Sequence, residues 1–242
     1  MNIVRVLGRK SVISTFVGCT LSAIALLFAL TPRTLIIMGD PRWPVELQKN
    51  ITRQVEQLSV RTIGIRQLSS DLQKDYPCLK EVTITYSSRL EATVTLRGWR
   101  PLVVVQSSVP GTGEYLICEQ GHILSKNFFN QAAVSGLPTL IIQGSTFEEK
   151  LHSPELINTV LAMRTELFAR YAITWESKTN ITLRHKEKPI LIMADSSSVL
   201  ENNRFIYVQR IYAVEKKYEN GMRVDIRLKD SLACAPLKQG AV

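Results

Sequence analysis

The hydrophobic and polar positions divide the chain into one uncharged stretch and a series of short periodic segments. Residues 11–32 carry no charge, and the apolar run over 12–30 is long enough for a membrane helix of about 20 residues. Beyond it, Thr34-Leu35-Ile36-Ile37-Met38 reads as a strand stopped by Gly39-Asp40-Pro41. Pro44 stands where a first-turn proline would, and Leu47, Ile51, Val55 and Leu58 then follow at helical spacing. Leu68 and Leu72 mark a shorter helix closed by Tyr76-Pro77. In the next two segments Val82, Ile84 and Tyr86, then Leu90, Ala92, Val94 and Leu96, alternate with polar residues as strands do, with Ser87-Ser88-Arg89 as the hairpin between them. The predicted order is strand, helix, helix, strand, strand, with two helices able to cover one face of a small sheet.

The pattern then changes. Residues 114–124 read as a hairpin with Glu119-Gln120-Gly121 at its turn, and 136–144 as an extended segment bounded by glycines. Ser153-Pro154-Glu155 combines an N-cap, a first-position proline and a first-turn acid. The stripe Leu156, Val160, Leu167 and Tyr171 predicts an amphipathic helix from there to about Ala172. Strands are predicted at 181–184 and 190–193, followed by a helix capped by Ser196-Ser197-Ser198 and ended by Asn220-Gly221. The last predicted strand alternates Met222, Val224, Ile226 and Leu228 with Arg223, Asp225, Arg227 and Lys229.

Charge gives the uncharged stretch a direction. Arg5, Arg9 and Lys10 precede it, so the positive-inside bias puts the short head in the cytoplasm and the bulk of the chain outside, as a single-pass type II protein. A cleaved signal peptide would need a small-x-small site at the end of the run, and Ala23-Ile24-Ala25 is followed by more apolar residues, which favours a retained anchor. The mean hydropathy of +0.04 therefore averages two unlike parts. Removing the three basic head residues from 30 Lys and Arg leaves 27 against 21 acids, an excess of six spread along the chain. With no basic run and no nucleic-acid motif, a nucleic-acid partner is not expected. Hydrophobic residues at 45% exclude a disordered chain. Of the four cysteines, Cys19 lies in the uncharged stretch, and Cys78, Cys118 and Cys234 have neither paired nor metal-ligand spacing, which favours buried thiols over one disulfide.

Taken in order, these segments resemble the bacterial division proteins of the FtsQ/DivIB family, in which a β-α-α-β-β POTRA domain follows a single anchor. The local likeness lies in Tyr76-Pro77-Cys78-Leu79-Lys80-Glu81-Val82-Thr83-Ile84 and in Gly98-Trp99-Arg100-Pro101-Leu102-Val103, then in the hairpin at 114–124, Gly136-Leu137-Pro138-Thr139-Leu140 and the terminal Arg223-Val224-Asp225-Ile226-Arg227-Leu228 with Ala235-Pro236 after it. The family's Trp-Pro between the two POTRA strands is replaced by Ser88-Arg89, and its aromatic before the terminal Ala-Pro by Cys234. The resemblance implies an α+β fold: a single N-terminal transmembrane helix, a POTRA (β-α-α-β-β) domain, then a β-rich mixed domain with a C-terminal edge strand. The expected boundaries are a head at 1–10, the helix at 11–31, the POTRA domain at 34–105, the second domain at 106–236 and a tail at 237–242.

The same resemblance implies a non-catalytic scaffold of the divisome at the cytoplasmic (inner) membrane and septum. Its partners would be small bitopic division proteins like FtsB and FtsL, and septal peptidoglycan synthesis proteins like FtsW and FtsI. The docking residues it implies are Arg223, Asp225, Ile226, Arg227 and Leu228, with Lys178 in place of the family's basic cluster. An open strand edge suits docking, because its unpaired N–H and C=O groups accept an added strand. On residues alone, the same charges also read as a solvated face or as protection against edge aggregation. POTRA domains occur as well in envelope-assembly and secretion components, the nearest competing reading.

A membrane-anchored envelope enzyme is the competing class, and its signatures are missing. His122, His152 and His185 make no H-E-x-x-H, and there is no G-x-S-x-G, S-x-x-K, P-loop or D-x-D. The sequons Asn50-Ile51-Thr52 and Asn180-Ile181-Thr182 are short enough to arise by chance. No cofactor, metal or catalytic residue is expected.

Overall fold

The computed structural model describes residues 34–57, 65–88, 91–144, 146–229 and 231–237. Two compact units divide them, one holding Val45–Gly98 with the chain up to Pro41, the other Arg42–Pro44 and everything from Trp99 onward.

The first unit is a three-stranded sheet with two helices. β1 (Thr34–Met38), α1 (Val45–Gln57), α2 (Ile65–Asp75), β2 (Leu79–Tyr86) and β3 (Glu91–Gly98) follow one another. β3 is central, parallel to β1 and antiparallel to β2. Its alternation is complete: Ala92, Val94 and Leu96 are buried while Thr93 and Thr95 are only half-buried. The helices supply Ile51, Val55, Leu68 and Leu72 to the buried set, which is why their stripes carry no charge. Gln54 Nε2 donates to Asp75 Oδ2 at 2.6 Å and ties the helices together. Asp40, itself 4% exposed, accepts the Gly98 N–H at 2.7 Å and so fixes where β3 ends.

The second unit is built on nine strands: β4 (Pro101–Ser107), β5 (Tyr115–Cys118), β6 (Ile123–Ser125), β7 (Thr139–Ile142), β8 (Tyr171–Ser177), β9 (Asn180–His185), β10 (Ile190–Ala194), β11 (Met222–Asp225) and β12 (Ala233–Pro236). Their spatial order is β12-β11-β10-β9-β8-β7-β4-β5-β6. The connections carry the short helices α3 (Gln131–Val134), α4 (Phe147–Leu151), α5 (Pro154–Ala162) and α6 (Thr165–Arg170), and the longer α7 (Asn202–Val214). One hydrophobic cluster joins the inward side chains of the strands to these helices, with Val105, Leu140, Ile173, Trp175, Leu183, Ile192 and Val224 meeting Leu151, Leu156, Leu167, Phe205 and Val208. α7 is the crossover between the parallel pair β10 and β11, and its Phe205 and Val208 cover the sheet there.

Several expectations are corrected. The architecture with a membrane-spanning helix is not carried forward: among the described residues no helix is long and apolar enough to cross a membrane, and the stretch at 11–31, with the head at 1–10, lies outside them. The tail beyond residue 237 and the hairpin residue Arg89 also lie outside them. The first unit ends at Gly98 rather than at 105, because β4 pairs with β5 and β7 in the larger sheet.

The helix expected from Ser153 to Ala172 is two helices and a strand. Met163 and Arg164 are extended, with ψ of 138° and 143°, and Tyr171 opens β8 between β7 and β9. Tyr171, Ile173 and Trp175 are all buried on alternate positions, so pairing in the middle of the sheet outweighed the helical spacing of Leu167 and Tyr171. The serine cluster does not cap α7. Asp195 Oδ1 instead accepts the N–H groups of Ser197 and Ser198 at 3.0 and 2.7 Å, and a short 3-10 turn, Ser198–Leu200, precedes the helix. α7 ends at Val214, well before Asn220-Gly221. The terminal strand also stops early, at Asp225, and is not an edge strand, since β12 pairs along its outer side.

Candidate functional site

The residues singled out in the sequence lie at one end of the β9–β12 half of the sheet. β10 and β11 run parallel and end together at Ala194 and Asp225, beside the turn that joins β8 to β9. Lys178 and Thr179 form that turn, and the Lys178 carbonyl accepts the Ser196 N–H at 2.8 Å. Arg227 Nη1 approaches the Thr179 carbonyl at 3.4 Å. Lys178, Asp225 and Arg227, far apart in the chain, are therefore brought into one neighbourhood by three strand ends.

Asp225 turns the chain there. Its Oδ1 accepts the Arg227 N–H at 3.0 Å, a turn closed by an aspartate side chain onto the backbone two residues ahead. The same carboxylate holds the Arg227 guanidinium, with Nε at 2.9 and 3.1 Å from the two oxygens. These hydrogen bonds from Arg227 hold the Asp225 carboxyl below the usual carboxylate range and raise the guanidinium further. At Asp195 burial alone would raise the carboxyl, but the bonds from Ser198 and Ser197 leave it lowered. Asp225 is thus a turn-former paired with Arg227, and the two charged groups of the pair are both partly exposed.

The other candidates separate by face. Arg223 is exposed, and its Nη2 and Nε lie 2.8 and 3.2 Å from Met193 Sδ on the neighbouring strand. Together with half-buried Thr182, Leu191 and Met193, it covers the sheet face opposite the helices. Ile226 is fully buried in the hydrophobic cluster, and its N–H donates to the Met193 carbonyl at 2.9 Å, so it is a core residue and not a docking contact. Leu228 is 49% exposed, leaving it as an apolar contact beside Arg227.

β12 was not visible in the sequence, yet it forms the edge. Leu237 N donates to the Gly221 carbonyl at 3.0 Å, and hydrogen-bonded pairs recur every second residue in an antiparallel ladder. Arg223 with Ala235, and Asp225 with Ala233, are therefore the bonded pairs, while Val224 with Cys234 and Met222 with Pro236 are not. Met222 N and Ile226 N confirm the alternation by donating the other way, to Pro189 and Met193 at 2.9 Å each. The Cys234 N–H and C=O and the Pro236 C=O consequently point away from β11, to the side where no strand lies among the described residues. Pro236 sits where its missing N–H costs no ladder bond. Four residues, two of them alanine and the last a proline, carry no alternation, which is why this strand left no signal.

Arg204 was missed for another reason, since it is a helix residue whose partners are backbone carbonyls. Its guanidinium reaches the carbonyls of Ile226, Leu228 and Lys229, all at 2.6 Å, while Glu201, just before the helix, pairs with it. The segment between β11 and β12 is thus anchored to α7.

Neither Cys78 nor Cys234 is poised as a reactive thiol. Burial pushes the Cys78 thiol up to about 12 and also raises Cys234, away from the thiolate that nucleophilic or metal chemistry needs. Among the described residues no group of three His, Cys, Asp or Glu side chains converges to hold a metal. No protein-family model matches the chain, and no curated protein matches it.

Proposed function

We propose that the chain is a non-catalytic scaffold of bacterial cell division, acting at the septum on the outer side of the cytoplasmic membrane. It receives small bitopic division proteins of the FtsB/FtsL type along the β12 edge and so supports septal wall synthesis by FtsW/FtsI-like proteins. The observation that carries the reading is the outward aim of the Cys234 N–H and C=O, a donor and acceptor pair on an edge strand. An incoming strand that pairs with them continues the sheet, and main-chain bonds supply affinity while neighbouring side chains supply selection. The partly exposed pair of Arg227 and Asp225 next to Leu228 favours a partner carrying polar or charged groups beside an apolar residue.

The test is partner capture with localisation. Tagged full chain concentrates at midcell and recovers small bitopic division proteins, and Arg227→Glu lowers recovery several-fold while the variant stays folded, its thermal unfolding lowered only slightly by the lost pair with Asp225. Uniform distribution around the cell, or undiminished recovery by the variant, overturns the reading.

A further inference from the structure

A second concave site lies in the nine-stranded unit, at the end of β10 opposite the Asp225 cluster. It is a cavity of about 630 Å³ between α6, α7 and the segment entering β10. Arg164, just before α6, and Arg170, its last residue, flank it, with Lys188 from before β10 and Arg210 from α7. Glu166 is the one carboxylate in its lining, so four cations face a single negative charge. Among the described residues none of the four cations forms an ion pair, although Lys188 Nζ lies 6.0 Å from the centre of the Tyr212 ring.

Exposed cations on a convex surface are ordinarily solvated and mean little. Here they surround a hollow whose apolar floor is Leu167 and Tyr171 on one side and Phe205 and Ala213 on the other, the last two sharing a face of α7 with the polar Asn202 and Gln209. Their fields also converge. His185, whose ring meets Tyr171 edge-on at 5.1 Å, is held below the usual imidazole range by burial and then by the positive charges of Lys188 and Arg170, which come from two different elements. Tyr171 is 2% exposed, and its hydroxyl accepts from Gln209 Nε2 at 3.4 Å, which leaves its own proton as a further donor.

We propose that this cavity binds a phosphate-bearing ligand. Two or more negative charges on one group match the excess of cations, and guanidinium forks donate in pairs to phosphate oxygens. The volume falls within the roughly 300–1,000 Å³ of small-molecule pockets and exceeds what a bare phosphate fills, so an organic portion rests on Leu167 and Phe205. A soluble organic phosphate and a phospholipid with a phosphomonoester headgroup share this chemistry.

The experiment is calorimetric titration of the full chain at constant ionic strength with two probes, inorganic pyrophosphate and monomeric dihexanoyl phosphatidic acid. Saturable one-to-one binding of either is expected, weakened at least tenfold by Arg170→Gln combined with Arg210→Gln. Lys188→Gln alone, expected to weaken it about threefold, serves if the double variant does not fold. Tighter binding of the lipid assigns a headgroup, and tighter or equal binding of pyrophosphate assigns a soluble phosphate. The proposal is overturned if neither probe saturates, or if the folded variants bind as the parent does. Partner capture at β12 is read separately, so failure here leaves the docking assignment standing, and the reverse also holds.

Discussion

Arg204 Nη1 donates to the carbonyl of Leu228 at 2.6 Å, across 24 residues of sequence, and so couples the crossover helix to the segment that leaves β11. The same fork holds Ile226 and Lys229, so one side chain sets the path from the buried Ile226, just past β11, toward the edge strand. Bonds to a charged donor are worth about 1.5–3 kcal/mol each when no water replaces them, but the Leu228 and Lys229 carbonyls regain water on truncation. Arg204→Ala is expected to cost about 2 kcal/mol in urea unfolding. Arg204→Lys keeps the charge without the fork and should recover less than half of that loss.

The direction of the β12 backbone groups gives a paired prediction. Cys234→Pro removes an N–H that faces away from β11 and no ladder bond, so thermal unfolding should change little. Ala235→Pro removes the N–H that pairs with Arg223 and should destabilise by about 1–3 kcal/mol, the cost of leaving an acceptor without its donor. If the edge docks a partner strand, Cys234→Pro abolishes capture while remaining folded. Full capture by that variant places the docking surface elsewhere.

Gly221 enters β11 at φ +122°, and a Cβ there would stand 3.0 Å from both the Pro189 carbonyl oxygen and the Leu237 Cβ. Pro189 leads into β10 and Leu237 follows β12, and both bond to the chain at Gly221–Met222, so relief would require opening one of those contacts. Gly221→Ala is expected to lower stability by about 2–3 kcal/mol, measured by denaturant unfolding, through backbone strain and crowding together.

His185 carries a pH dependence. Its Nδ1 accepts the N–H groups of both Glu187 and Lys188 at 3.1 Å, which requires that nitrogen to be unprotonated. Burial, then Lys188 and Arg170, depress its pKa below 6.5, with Glu187 opposing. The unfolded chain therefore binds the proton more readily than the folded one. Stability from this group is complete above about pH 6.5, the unfolded value, and is lost as pH falls through the lower folded value. Ring proton shifts should titrate with a midpoint below that of a free histidine, and His185→Gln should flatten the fall in unfolding midpoint on the acid side of neutrality.

The elements that could be read from the chain are those whose two faces differ chemically. Ala92, Val94 and Leu96 alternate with threonines and arginine, so β3 was legible with its inward face, and Met222 and Val224 marked β11 in the same way. Ser153-Pro154-Glu155 marked the start of α5 because a cap is a local bond, here Leu156 N to Ser153 Oγ at 3.2 Å. β8 was misread because Leu167 and Tyr171 stand at helical spacing, and only strands on both sides make Tyr171, Ile173 and Trp175 a buried row.

For the candidate site, sequence by itself determined the charged alternation of Arg223, Asp225 and Arg227 and the periodic elements around it, because side-chain period and turn chemistry are local properties. Tertiary structure alone decided which of those residues face solvent, that Ile226 belongs to the core, and that β12 rather than β11 forms the edge. Sheet order and ladder phase depend on partners distant in the chain: Gly221 and Leu237 set which backbone groups of β12 turn outward, and Arg204 holds the path to them. No periodicity within a segment encodes those partners.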